Sequence, residues 1–394
     1  MGTSLSLLLT LALSGSSPPQ EPATRAQALA QQQEEKAAQI APERHNLIEQ
    51  RLLGIDSGGG FGAPRGFMVT FGDIKASSGF APGVAYGYLF NNGAAAQAKV
   101  VYSVRNFKLG QLSFGLPPMA GGRLNVGSRL RWQDAPSLAF YALGTPSPDV
   151  RADYAETMTE ASATAVFRPV RFIHVDGSVG YERFDTGPGD SDKPRIETVF
   201  TGAPGLNADP DYVHSSATAG LDSRDSPGYT RRGTALGLRL HDYRQQNGDR
   251  YSFQRVDGVA EQHIPILGGN WVLYAGLRAS MTTTADGQDV PFFLMPHIGG
   301  SDLRGYDTYR FRDRNSMVFT AEYRWYAQEY LDAAVFYDAG KAVPHRSDLD
   351  FSGLKSDFGF GIRLHGPQAT AVRLELARGT EGLRFIMAFS PVGR

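Results

Sequence analysis

The chain has 394 residues, 41% of them hydrophobic, with 39 basic and 40 acidic side chains and a net charge of −1. This balance offers no basic patch for nucleic acid, and beyond the N-terminus no apolar run approaches the roughly 18 residues that a membrane-spanning helix needs. Cysteine is absent, which excludes disulfides and thiolate metal sites. The 46 glycines, 11% aromatic residues and many short alternating runs indicate strands joined by tight turns.

The first 65 residues are predicted to precede the main domain. Residues 1–17 hold a short apolar stretch followed by small residues, the pattern of a secretory signal peptide, although no Lys or Arg precedes the stretch. Residues 18–65 are predicted to form a periplasmic helical segment and a Gly-rich linker. Apolar residues at helical spacing between Leu47 and Leu53 leave two interpretations open: a polar periplasmic helix, or a helix that docks on a partner or enters the following domain.

From Gly66 onward, every second residue within short stretches is apolar, which is the period of a strand with one apolar face. The stretch from Met317 to Tyr326 shows this pattern best. Sixteen such stretches occur, of which the sixth and tenth alternate poorly. Their predicted centres are Thr70, Tyr86, Val100, Ser113, Leu130, Ala161, Val175, Ala217, Leu238, Phe253, Leu273, Ala321, Val335, Gly361, Leu374 and Met387.

Connection lengths distinguish a barrel from a soluble sandwich, which shares the same alternation. Three connections on one side are long, at 134–150, 185–210 and 285–315, whereas those on the other side are short. This layout is typical of bacterial outer-membrane barrels. Residues 66–394 are therefore predicted to form an all-β, sixteen-stranded antiparallel transmembrane β-barrel in the outer membrane. An even strand number places both termini on the short-turn, periplasmic side.

The long connection before strand twelve carries a glycine-rich motif around Arg304. Alternation places Glu322 and Asp338 on the polar faces of the next two strands, and a guanidinium can donate paired hydrogen bonds to carboxylates. If the loop folds inward, Arg304 would join it to the barrel wall; the alternative is a solvated loop arginine. The glycines are expected to permit tight turns rather than to bind phosphate. The motif residues are Gly299, Gly300, Leu303, Gly305 and Tyr306.

This segment, residues 297–313, resembles the loop signature of the BamA/TamA-type barrel family, also called the bacterial surface antigen family. Residues 320–324 and 336–340 resemble the strands that follow the loop in that family. Upstream, residues 222–226 with Arg232 and Gly233, and residues 140–144, also resemble family segments. The resemblance implies an inward-folded loop before strand twelve, held by the pairing of Arg304 with the two carboxylates.

The resemblance also implies a function in inserting or translocating proteins at the outer membrane. The expected partners are outer-membrane lipid, unfolded outer-membrane proteins and a periplasmic partner. Insertion would use a seam between strand one, at 66–76, and strand sixteen, at 383–390, where unpaired backbone groups could pair with an incoming strand. The family's insertases carry periplasmic substrate-receiving domains, and residues 18–65 are too short for one, so a member lacking them is predicted.

Two alternatives of other kinds remain open. One is a passive pore or structural barrel with a plug loop, and the other is a dedicated translocator of a separate passenger protein. In the pore interpretation, lumen-facing arginines would confer anion preference. These arginines are Arg105, Arg129, Arg131, Arg324, Arg363 and Arg373.

The sequence lacks the motifs of an enzyme: no nucleophile elbow, phosphate loop or metalloprotease motif occurs. The chain is therefore predicted to be no enzyme and to need no cofactor or metal. Asp185, Asp190 and Asp192 fit no standard calcium loop. Histidines on predicted lumen faces are interpreted as polar lining rather than metal ligands; these are His174, His241 and His365.

Overall fold

The computed structural model describes residues 65–72, 74–266, 270–328, 330–366 and 370–389. All of them belong to one compact unit, Arg51–Arg394. The predicted signal peptide and the helix predicted within 18–65 lie outside the described residues. Within the described part of the chain, no helix is long and apolar enough to cross a membrane.

Eighteen strands are described, and sixteen of them form one antiparallel sheet in which almost every strand pairs with its neighbours in chain order. The remaining two form a small hairpin, so β11 pairs directly with β14. The strands are β1 (Gly66–Phe71), β2 (Pro82–Leu89), β3 (Ala95–Tyr102), β4 (Lys108–Gly115), β5 (Leu124–Phe140), β6 (Ala152–Val170), β7 (Ile173–Pro188), β8 (Asp211–Asp222), β9 (Gly233–Gln245), β10 (Phe253–Ile266), β11 (Trp271–Thr283), β12 (His297–Ile298), β13 (Phe311–Arg312), β14 (Asn315–Gln328), β15 (Leu331–Val343), β16 (Lys355–His365), β17 (Thr370–Gly379) and β18 (Gly382–Phe389).

The predicted sixteen strands are confirmed, because each predicted centre lies in its own strand of the main sheet, including the sixth and tenth. Alternation also assigns the faces. On β15 and β16, Tyr337 and Phe358 point outward and are exposed, whereas their neighbours Asp338 and Asp357 are buried. One face is thus apolar enough for lipid and the other polar, as a transmembrane sheet requires. Among the described residues, the connections contain one short helix, Ile196–Val199, and two 3-10 turns, Phe292–Leu294 and Arg346–Asp348.

The structure corrects several predicted boundaries. Strand β5 continues to Phe140 and strand β7 to Pro188, so both extend into the loops predicted at 134–150 and 185–210. Strand β6 begins at Ala152, just after the predicted loop. Strand β1 ends at Phe71, before the predicted end at Ala76. Arg105 was predicted to face the lumen, but it lies exposed on the β3–β4 turn and donates a 3.0 Å hydrogen bond to the Ser77 carbonyl.

The extended ends of β5 and β7 are explained by a buried core at the long-connection end of the sheet, which we term the cap core. Phe292 lies within it, 5.0 Å from Phe140 and 4.7 Å from Tyr154 between ring centroids. Apolar residues here pack against loops instead of lipid, so the strands continue beyond the membrane-facing pattern. The cap core comprises Phe107, Ala135, Leu138, Phe140, Ala152, Tyr154, Phe184, Ile196, Tyr212, Tyr243, Phe253, Val290, Phe292, Phe293, Met295 and Tyr309.

Hydrogen bonds between distant strands show that the sheet curves around its contents. The Thr145 hydroxyl, in the β5–β6 connection, donates to the Ala342 carbonyl on β15 at 2.9 Å and accepts from the Ala342 N–H at 2.8 Å. Lys75, before β2, forms an ion pair with Glu156 on β6. These contacts join connections and strands that are far apart in the sheet.

The two edges of the sheet, β1 and β18, form the seam. They have only six and eight residues. No ladder hydrogen bonds join residues 66–71 to residues 382–389. Exposed Phe67 and Val69 on β1, with Leu383 and Phe385 on β18, give both edges an apolar outer face. The predicted seam strands therefore lie at free edges, with β18 starting at Gly382.

Replacing Phe292 by alanine is expected to loosen the cap core. Loss of a buried phenylalanine costs about 3–5 kcal/mol in well-packed cores, so the loops of Phe292→Ala should be cleaved faster by external protease. Phe351→Ala is the control, since Phe351 is 78% exposed on the β15–β16 connection. Equal cleavage of both variants would contradict a packed cap.

Candidate functional site

The candidate site is built on the connection between β11 and β14, which turns back into the barrel as the β12–β13 hairpin. Gly299 and Gly300 have φ of 119° and 72°, in the left-handed region that only glycine adopts without strain. The Gly300 N–H donates to the Tyr306 carbonyl at 3.0 Å, closing a tight loop around Arg304. Both glycines therefore serve the turn, as the sequence predicts.

Arg304 lies at the tip of this loop and is almost fully buried, with 2% exposure. Its Nε and Nη2 donate to the two oxygens of Asp338 at 2.7 and 2.9 Å. Its Nη1 donates to Glu322 at 2.8 Å and to Glu375 at 3.1 Å. The guanidinium also lies 3.4 Å from the ring centroid of Phe336, a favourable cation–π contact. One side chain thus joins the loop to β14, β15 and β17.

Further arginines compensate the carboxylates around Arg304. Arg363 donates to both oxygens of Glu322, at 2.9 and 2.8 Å, and Arg324 donates to Glu322 at 2.7 Å. Three guanidinium groups therefore face three carboxylates, which avoids a buried net charge. We call these six residues the charge cluster: Arg304, Arg324, Arg363, Glu322, Asp338 and Glu375.

The residues after Arg304 fit closely against the barrel wall. A Cβ on Gly305 would lie 2.5 Å from Asp357 Cβ and 2.6 Å from the Gly379 nitrogen, closer than any real Cβ contact. Tyr306 is fully buried, and its hydroxyl contacts Thr380 Oγ1 at 3.0 Å. The loop tip therefore touches β16 and the end of β17. Leu303 is also fully buried, in a small cluster with Tyr306.

A second anchor lies beyond the tip, at Arg310. Its guanidinium forms a 2.7 Å ion pair with Glu381 in the β17–β18 turn and donates to Ser147 Oγ at 2.9 Å. It therefore links the β5–β6 connection to the β17–β18 turn through the loop. Burial raises the pKa of the nearby Asp313 carboxyl above its usual range.

The structure brings together Arg304, Glu322 and Asp338, the three residues that the sequence grouped. It adds Glu375, together with Arg363 and Arg324, two arginines predicted to face the lumen but without an assigned partner. Arg310 and its contacts with Ser147 and Glu381 were not foreseen, because their segments are far apart in sequence.

The predicted absence of a metal remains a prediction. No group of three or more potential metal-binding side chains lies among the residues that the structure describes. Asp185 lies in β7 rather than in a loop and pairs with Arg183 at 3.2 Å. His241 lines the lumen wall and contacts Asp257 at 3.1 Å. His365 contacts Asp332 at 3.4 Å.

The fold and the anchored loop define a transmembrane β-barrel with an inward-folded loop. The chain belongs to the Omp85 superfamily, whose domain model matches residues 89–380. Members of this superfamily are outer-membrane barrels that handle protein substrates. The predicted family resemblance and barrel fold are thereby confirmed.

Solved structures agree with this assignment of the fold. BamA from Haemophilus ducreyi lacking POTRA domains 1-3 is similar, with a TM-score of 0.64 and 12% identity over 82% of this chain and 69% of that chain. CdiB from Escherichia coli gives a TM-score of 0.53 and 12% identity over 87% and 68% of the two chains. No curated protein sequence matches the chain.

Replacing Arg304 by glutamine should release the loop, because it leaves buried carboxylates without their counter-charge. Removing one partner of a buried ion pair costs about 3–5 kcal/mol. The temperature at which the folded band converts to the unfolded band on a gel should fall, and protease should cut within 297–313. Glu322→Gln and Asp338→Asn should shift both measurements in the same direction.

Arg183→Gln is the matched control. Arg183 pairs with Asp185, but more than half of the Arg183 side chain is exposed to solvent. Such a pair contributes at most about 1 kcal/mol. If Arg304→Gln were no less heat-stable than Arg183→Gln, the loop would not depend on the charge cluster.

Replacing Gly305 by alanine tests the close approach of the loop to β16 and β17. The added methyl group has no room beside Asp357 and Gly379, so the loop must shift and its protease protection should fall. Gly110→Ala is the control, because a Cβ at Gly110 would meet nothing within 4 Å. Equal protection in both variants would show that the loop tip is not tightly seated.

Proposed function

We propose that this chain assists the insertion or translocation of proteins at the outer membrane, with substrate strands entering at the seam. The observation that carries the proposal is the pair of short edges β1 and β18, which are not hydrogen-bonded to each other in the described residues. An open edge presents N–H and C=O groups to which an incoming strand can add. The fold resemblance to BamA and CdiB supports the same interpretation.

The cap core supports entry at the seam over passage through the lumen. A substrate that left through the long-connection end would have to separate Phe292 from its packed aromatic partners and break the bonds between Thr145 and Ala342. A substrate at the seam would leave these contacts intact.

The charge cluster has a supporting role in this proposal. It holds β14, β15 and β17 to the loop, whereas β18 contacts the loop through Arg384, which pairs with Asp307 at 3.1 Å. The wall beside the seam is therefore fixed up to β17, and β18 can separate without loss of the cluster. The proposal assigns no catalytic reaction to the chain.

The proposal also includes an orientation. Both ends of the sheet, Gly66 and Phe389, lie on the side of the short turns, which we assign to the periplasm, as in outer-membrane barrels. Unfolded outer-membrane proteins, a periplasmic partner and membrane lipid are the partners that fit this arrangement.

Depletion of the protein in its native host tests the function. If it assists assembly, the folded fraction of unrelated outer-membrane barrels should fall, as seen by heat-modifiable gel mobility and membrane proteomics. Unchanged barrels with loss of a single secreted protein would instead indicate a dedicated translocator. Unchanged barrels and an unaffected envelope would indicate a passive pore.

Locking the seam tests the mechanism. The chain has no cysteine, so cysteines in Met68→Cys and Ile386→Cys can be linked selectively by a reducible bifunctional reagent. Linking should abolish complementation of the depleted host, and reduction should restore it. The control pair is Val84→Cys with Val100→Cys, which joins strands that are already paired. Full activity of the linked seam variant would exclude entry at the seam.

A further inference from the structure

The connection between β8 and β9 differs from an ordinary hairpin turn. It runs for ten residues, from Ser223 to Arg232, on the side of the barrel where the other connections are short. A hairpin needs only two to five residues. We call this segment the strap.

The strap has a defined conformation of its own. Asp225 Oδ1 accepts hydrogen bonds from the N–H groups of Ser226, Arg231 and Arg232, at 3.0, 3.1 and 3.3 Å. The Thr230 hydroxyl donates to the Ser226 carbonyl at 2.8 Å, and Thr230 is buried. These bonds bring both ends of the strap together and project its middle, at Gly228 and Tyr229, away from β8 and β9.

The projecting residues contact strands across the barrel. The Tyr229 hydroxyl donates to Asp332 on β15 at 2.8 Å. Its ring stacks on His365 of β16, with centroids 3.9 Å apart and planes 12° apart. The Gly228 carbonyl accepts from the N–H of Thr370, the first residue of β17, at 3.0 Å. Strands β10, β11 and β14 lie between β9 and these contacts. Arg231 of the strap also lies 5.4 Å from the ring centroid of Tyr326 on β14, so the strap bridges this part of the short-turn mouth.

The contacts of the strap with β15, β16 and β17 are specific, and they differ in kind from the buried ion pairs of the charge cluster. Asp332 and His365 are 4% and 7% exposed, which shows that Tyr229 seats in a closed site. Burial, and then the hydrogen bond to Asp332, raise the pKa of Tyr229 above its usual range, so its hydroxyl remains a donor. Gly228 and Tyr229 are held by a backbone hydrogen bond, a ring stack and a phenol hydrogen bond. Arg231 adds a cation–π contact with Tyr326, and Arg224 at the base of the strap pairs with Glu261 at 3.3 Å. The charge cluster is held by several buried ion pairs.

We propose that the strap is a releasable closure of the short-turn mouth of the barrel, seated by Tyr229 on Asp332 and His365. When seated, it spans the lumen between β8–β9 and β15–β17 and restricts passage. When released, it opens the mouth while the β12–β13 loop stays fixed by Arg304. This inference goes beyond the proposed function and holds whether or not the barrel inserts proteins.

Reversible linkage tests the closure in the full chain. In the double variant Tyr229→Cys with His365→Cys, the natural seat is lost, and a short bifunctional methanethiosulfonate reagent can replace it with a reducible tether. In planar bilayers, the unlinked variant should show ion conductance several-fold above that of the unchanged chain. Linking should return the conductance to the original level, and reduction should raise it again. Tyr229→Phe, which keeps the stack and loses the hydrogen bond, should fall between the two.

The control pair is Ser178→Cys with Ser216→Cys, whose hydroxyls lie 2.8 Å apart on neighbouring strands away from the strap. Its linkage should leave conductance unchanged. Heat-modifiable mobility verifies that each variant is folded, and linked and reduced states are compared on the same protein. Equal conductance of the linked and reduced forms of the strap variant would overturn the proposal. Conductance is measured without substrate, so this result is independent of the depletion experiment.

Discussion

The fold depends on a guanidinium that is shared by carboxylates from three strands. Taking ions out of water is costly, and the cost is offset only when each charge is paired and hydrogen-bonded. Arg304 meets this condition through Asp338, Glu322 and Glu375, and the additional arginines return the cluster to neutrality. Because every member compensates another, the loop, β14, β15 and β17 are held as a unit. The outward faces of the same strands remain apolar and are free to contact lipid.

That unit divides the barrel into a fixed wall and a free edge. Gly305 brings the loop backbone against Asp357 and Gly379 with no space for a side chain, so the wall from β14 to β17 is fixed to the loop. Beyond it, β18 and β1 are short and have no ladder bonds with each other among the described residues. A rigid wall beside an unpaired edge is the arrangement that would let one seam open without loss of the fold.

Local periodicity was enough to predict the sixteen strands, because the period of two is set by neighbours in sequence. It failed at the ends of β5 and β7, where Phe140 and Phe184 pack against residues such as Phe292 from a distant connection. The loop motif identified Arg304, and alternation on the next two strands placed Glu322 and Asp338 on polar faces. The three residues could be grouped because these segments are close together in the chain. Contacts across the lumen, such as those of Arg310 and Tyr229, depend on the curvature of the sheet, and curvature leaves no local pattern.

The connections at the two ends of the lumen are held by different forces, and the difference determines where an opening wide enough for a polypeptide begins. The long-connection end is held by the buried aromatic residues of the cap core. Loss of the packing of one buried phenylalanine costs about 3–5 kcal/mol of stability. The short-turn end is held by the strap, through hydrogen bonds and a ring stack of Gly228 and Tyr229 and a cation–π contact of Arg231 with Tyr326. The net contribution of one hydrogen bond to stability is only about 0.5–1.5 kcal/mol. The short-turn end is therefore the one that opens at lower cost. Strand β1 begins and strand β18 ends at this same end of the barrel. A polypeptide arriving there would therefore meet both the weaker closure and the free strand edges.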